Sequence, residues 1–125
     1  MPNECTNEFT IASHVNPDQL NTLIGREFND FGEQLKIRHR WSHGISLRLI
    51  TDWEPDFEFL EGLLNNYPEC WVKNEWWEEG GRAGVWVGGT VYRGEKREIQ
   101  RMEWKDMCIE GYNSPSYEPV VTDQE

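Results

Sequence analysis

The spacing of apolar residues in this chain changes from every second residue to every third or fourth and back again, and that order of periods constrains the fold more than any other feature. From Glu4 to Ile11, Cys5, Asn7, Phe9 and Ile11 alternate with Glu4, Thr6, Glu8 and Thr10, the pattern of a half-buried strand. Asn16-Pro17-Asp18-Gln19 then opens a helix: Asn16 caps it, Pro17 suits the first helical position, and Gln19 completes a capping box. Leu20, Leu23, Ile24 and Phe28 follow at helical spacing, with Gly32 as the expected stop. The period returns to two at Leu35, with Leu35, Ile37, His39 and Trp41 on one side and Lys36, Arg38 and Arg40 on the other. Ser42-His43-Gly44 turns the chain into a second alternating run, Ile45 to Thr51, so the two runs form a hairpin.

A second helix is expected to open at Glu54-Pro55-Asp56, to carry the stripe Phe57, Leu60 and Leu64, and to end at Asn65-Asn66-Tyr67-Pro68. Trp53 is expected to pack as a staple over its start. Glu69 to Trp77 reads as a fourth strand, and Ala83 to Arg93 as a further one loosened by Gly84, Gly88 and Gly89. Those glycines are expected to permit a bulge or close backbone packing. Arg97 to Trp104 suits a last strand or a short helix. The order is β-α-β-β-α-β, the split-βαβ or ferredoxin-like arrangement, followed by one or two added strands. An α+β domain follows, with both helices on one face of an antiparallel sheet, because each apolar stripe must be buried. Residues 1–110 are expected to form this single domain, and residues 111–125 a flexible acidic tail without periodicity.

The formal net charge is −11. A field of that sign repels phosphate backbones and favours basic partners. No apolar run approaches the roughly 18 residues of a spanning helix, and the first residues lack a basic segment followed by an apolar one. No membrane partner is therefore expected, and the cytoplasm is the default compartment. The three cysteines, Cys5, Cys70 and Cys108, are odd in number and widely spaced, so a disulfide framework is not expected. No cofactor and no metal are expected either: His39-x3-His43 has no neighbouring cysteine, and zinc needs several ligands at short spacing.

Three blocks carry a family resemblance: Met1-Pro2-Asn3-x-Cys5-x-Asn7-x-x-Thr10-Ile11, Thr51-Asp52-Trp53-Glu54-Pro55, and Trp77-Glu78-Glu79-Gly80 leading into a glycine-rich strand. Over roughly residues 1–93 the chain resembles the YubB-type ferredoxin-like domain family of plasmid and phage proteins. The resemblance implies a mobile-element origin and a fold, and assigns no reaction. The chain departs from the family in a shorter central segment and in the residues after Arg93.

Two surfaces carry candidate chemistry. Between Asp52 and Glu79 nine carboxylates stand against one base, Lys73. Asp52, Glu54, Asp56, Glu58, Glu61, Glu78 and Glu79 form the candidate partner-binding surface, with Glu54, Glu58 and Glu61 spaced to share one face of the second helix. Such a surface imitates a phosphate backbone and suits a basic, nucleic-acid-binding protein of a host cell. The alternative lies on the sheet face away from the helices, where Lys36, Arg38 and Arg40 meet Trp71 and Trp77 in the manner of a single-strand platform. There the bland expectation is that added strands cover the Trp residues and that Glu4 and Glu8 pair with Arg48. No nucleophile elbow, P-loop or zinc helix motif is present. The expected function is a non-enzymatic inhibitor, of anti-CRISPR or nucleic-acid-mimic type. A nucleic-acid-binding module and an oligomer-forming structural protein are the alternatives.

Overall fold

A computed structural model describes residues 3–91 and 93–104, and the backbone of residues 119–121. The elements run β1 (Glu4–Ala12), α1 (Pro17–Glu27), a 3-10 turn (Gly32–Gln34), β2 (Leu35–Trp41), β3 (Gly44–Asp52), α2 (Phe57–Asn66), β4 (Trp71–Glu78), β5 (Ala83–Thr90), β6 (Lys96–Trp104) and β7 (Pro119–Val121). The sheet order is β2-β3-β1-β4-β5-β6-β7, and every neighbouring pair is antiparallel. The first four strands, with α1 and α2, make the ferredoxin-like βαββαβ unit. The additions exceed the one or two strands expected: β5 and β6 extend the sheet beyond β4, and the three-residue β7 pairs with β6. Of the segment 111–125 expected to be a flexible tail, only residues 119–121 lie within the described residues.

Alternation explains which side of the sheet the helices cover. Phe9 and Ile11 of β1, Ile45, Leu47 and Leu49 of β3, and Val72 of β4 are buried against Leu20 and Leu23 of α1 and Leu60, Leu63 and Leu64 of α2. Phe28, Phe31 and Phe59 close one end, with ring centroids 5.6–5.9 Å apart. Such rings contribute beyond their buried area through edge-to-face contact. Trp86 of β5 belongs to the same core, so the fifth strand completes the fold rather than decorating it.

Local chemistry sets the helix ends. Asn16 caps α1 by accepting from Gln19 N at 3.2 Å. The capping box does not close, because Gln19 Oε1 accepts from Glu69 N at 2.7 Å and ties α1 to the start of β4. α1 stops at Glu27, with Phe28 as its C-cap, one turn before Gly32; that glycine (φ 60°) instead opens the 3-10 turn. α2 begins at Phe57, later than expected, because Asp56 is its N-cap and accepts from Phe59 N at 3.1 Å. Glu54 and Pro55 therefore precede the helix.

Cys5 and Cys70 are buried and unpaired. Burial pushes each thiol up to about 11, since no nearby cation stabilises a thiolate enough to offset desolvation.

Candidate functional site

The two candidate surfaces lie on opposite sides of the sheet. On the helix side, a cleft of about 610 Å³ opens between the end of β3, the 3-10 turn and the start of α2. Asp52, Glu54, Asp56 and Glu58 line it, and Phe31 and Phe57 are among its walls. All four carboxylates are exposed. Glu54 is the nearest to being neutralised, with Arg82 Nη2 3.8 Å from its Oε1. Arg82 also meets Glu103 at 3.5 Å, and Arg101 bonds Glu103 at 2.7 Å while its guanidinium stacks 3.6 Å from the centre of the Phe57 ring. Arg82 and Arg101 are thus engaged by Glu54, Glu103 and the Phe57 ring.

The other predicted acidic residues divide. Glu61 is exposed one turn along α2 from Glu58, but Glu54 does not share that helical face because α2 starts after it. Glu79 is exposed, and its Oε1 accepts from Glu4 N at 2.8 Å. Glu78 is buried at 7% exposure, accepting from Asn3 Nδ2 at 2.6 Å and from Gly80 N at 2.9 Å. Its carboxyl fastens the β4–β5 turn to the start of β1 and is not presented to a partner. The Asn3 hydrogen bond holds its pKa below the ordinary 4.5, outweighing burial, with Gly80 N assisting. A depressed carboxylate stabilises the fold above its unfolded pKa and loses that contribution as pH falls through its folded pKa. Glu78→Gln is accordingly expected to lower the thermal midpoint at neutral pH. It should also flatten the decline of wild-type stability below about pH 4.5, measured by calorimetry across a pH series.

Trp53, expected to be buried as a staple, is 54% exposed and holds φ 67°. Glu54 N donates to Asp52 O at 2.7 Å across it, and Trp53 N donates to Asn3 O at 2.8 Å. A bulky residue in left-handed backbone costs energy and persists only where its surroundings impose it. Here the imposed turn sets an indole in solvent between two carboxylates of the cleft. No sequence signal announces this, since left-handed turns are ordinarily marked by Gly or Asn.

On the opposite face the expected cover over the Trp residues does not come from the described strands, since β5 and β6 extend the sheet edgewise beyond β4. Trp77 is 39% exposed and Trp71 is half-buried. Glu8 does pair with Arg48 at 2.5 Å, as expected, and approaches Arg38 at 3.9 Å. Arg48 also lies 5.9 Å from the Trp77 ring centre. Glu4 is engaged through its backbone instead. The alternation expected for β2 is interrupted by a register shift between Ile37 and His39. One extra residue flips every later side chain to the other side. Arg40 consequently turns to the helix side, donating to Asn21 Oδ1 of α1 at 2.5 Å, and leaves the predicted basic stripe. His39 and Trp41, expected on the core side, stack on each other with centroids 5.3 Å apart. Ile37 remains 60% exposed on this edge strand.

Among the described residues no three His, Cys, Asp or Glu side chains gather closely enough to hold a metal ion, and no helix is long and apolar enough to cross a membrane. Compared with protein-family models, curated proteins and solved structures, the chain matches none.

Proposed function

We propose that this chain is a non-enzymatic binding protein of a mobile element, acting on a basic, nucleic-acid-handling protein of the host through the cleft beside α2. The observation that carries this reading is the convergence of Asp52, Glu54, Asp56 and Glu58 on one cleft with Phe walls. An arginine or lysine entering there meets several carboxylates able to accept charge-assisted hydrogen bonds, beside the apolar walls of Phe31 and Phe57. Trp53 stands beside it as an exposed aromatic of the kind that anchors interfaces. The resemblance of the sequence blocks around Met1, Thr51 and Trp77 to a plasmid and phage family supports the mobile-element origin, and a host cytoplasm follows as the place of action. The net charge of −11 adds long-range attraction for such a partner.

The test is capture from host lysate with the wild type, the cleft variant Asp52→Lys/Glu58→Lys and the equal-charge control Asp18→Lys/Glu98→Lys. The wild type and control should retain the same basic protein, and the cleft variant should lose it. Retention should also fail when salt rises from about 0.1 M to about 1 M, which shortens the Debye length from about 10 Å to about 3 Å. Equal retention by all three proteins, or an acidic captured partner, contradicts the proposal.

A further inference from the structure

The sheet face away from the helices is built in rungs, and their chemistry is ordered. Registers across β4, β1, β3 and β2 align Trp71, Ala12, Gly44 and Trp41 in one rung. Lys73, Thr10, Ser46 and His39 form the next, followed by Glu75, Glu8, Arg48 and Lys36. The first rung sets two indoles at its ends over two of the smallest residues. Three strand spacings, about 14 Å, separate the Trp backbones, and the Trp41 ring folds back over Gly44, where no side chain would fit. What remains is a slot of about 420 Å³ with Ala12 in its lining, Trp41 and Trp71 beside it, and Thr10, Thr90 and His14 around the margin. Trp71 also borders a second cleft of about 440 Å³ that contains Arg97, Glu98 and Gln100, with Arg97 in an exposed pair with Glu95 at 3.2 Å.

We infer that this face is a second binding site, for single-stranded nucleic acid, with a base stacked against Trp71 in the slot and the adjoining phosphates drawn to Lys73 and Arg97. The apolar slot with aromatic walls suits a planar base, and base–indole stacking does not depend on sequence. The rung beside it offers the hydroxyls of Thr10 and Ser46 and the ammonium of Lys73, the groups that a sugar-phosphate requires. Cations gather on this face: Lys36, Arg38, Arg48 and Lys73 stand beside Glu8 and Glu75, each of which already faces a cation, with Glu4 and Glu98 as further carboxylates toward its ends. Exposed pairs such as Lys73–Glu75, at 3.8 Å, are weak enough for a phosphate to replace the carboxylate. This inference is independent of the acidic cleft across the sheet.

The test is Trp fluorescence at low salt, titrating the wild type, Trp71→Ala, Trp71→Phe and Lys73→Glu with uridine monophosphate and with a uridine oligomer of about ten nucleotides. The oligomer should quench the wild type and bind more tightly than the mononucleotide, because several phosphates engage at once. Trp71→Ala should weaken oligomer binding roughly five- to hundredfold, whereas Trp71→Phe keeps a stacking face and should stay close to wild type. Lys73→Glu should weaken binding and reduce its salt dependence. Circular dichroism identifies any variant that does not fold, and the remaining variants then decide. Absence of quenching by the oligomer overturns the inference, as does wild-type affinity in both folded Trp71→Ala and folded Lys73→Glu. Equal affinity for mononucleotide and oligomer would assign the slot to free nucleotides and overturn the single-strand reading.

Discussion

Gly89→Ala is expected to destabilise the protein by about 3 kcal/mol or more, enough to remove much of the stability of an ordinary small domain. Gly89 holds φ 109°, where a side chain is strained, and a Cβ there would overlap the carbonyl oxygen of Cys70, just before β4, and crowd Leu64 of α2. That position lies where β5 shifts register against β6, and Leu64 of α2 packs closely over Gly88 and Gly89. Gly25→Ala is the matched contrast. Gly25 sits in α1 with open space where a Cβ would go, and the change should stabilise by up to about 1 kcal/mol. Urea unfolding of the two variants checks both signs. Tolerance of alanine at Gly89 would mean that β5 is not held in the described register.

Trp86→Ala should cost about 3–5 kcal/mol, the range for deleting a large buried aromatic. Trp86 is 1% exposed and belongs to the main core, facing the helices beside Asn74 across the β4–β5 ladder. A four-stranded ferredoxin-like unit would leave this strand as an appendage. Its burial instead makes β5 part of the cooperative unit, so the variant should unfold in one transition at a lower midpoint. Unchanged stability, or a separate early transition, would place β5 outside the core.

The order of helices and strands is legible in the sequence because each apolar stripe has an unbroken period: Phe9 and Ile11, Leu20 and Leu23, Ile45 to Leu49, and Leu60 to Leu64 all reach the core they predict. The role of the glycines as sites of close packing is legible for the same reason, since nothing else explains three in one short strand. What escapes is anything set by a single-residue event. The shift near Arg38 carries no sequence mark, because an edge strand tolerates either face, and it moves Arg40, His39 and Trp41 to sides opposite those expected. Trp53 escapes because its left-handed turn is tied to Asn3, far from it in the chain, as well as closed locally between Asp52 and Glu54. The acidic surface is half legible. Composition finds the carboxylates, but only tertiary contacts distinguish Glu78, bound to Asn3, from Asp52 and Glu58, which stay open to a partner.

The fold therefore separates two chemistries that the overall charge blends into one number. Acidic side chains converge beside α2, while aromatic and basic ones share the side of the sheet away from the helices. The most direct test of the cleft assignment is a nuclear magnetic resonance titration of the isotope-labelled protein with an arginine-rich peptide, mapped residue by residue. The shifts should concentrate at Phe31, Asp52–Glu54 and Phe57–Glu58, and should fade with added salt. Shifts spread evenly over all the exposed carboxylates, or centred on the Trp71 side of the sheet, would contradict the assignment of the cleft as the partner-binding surface.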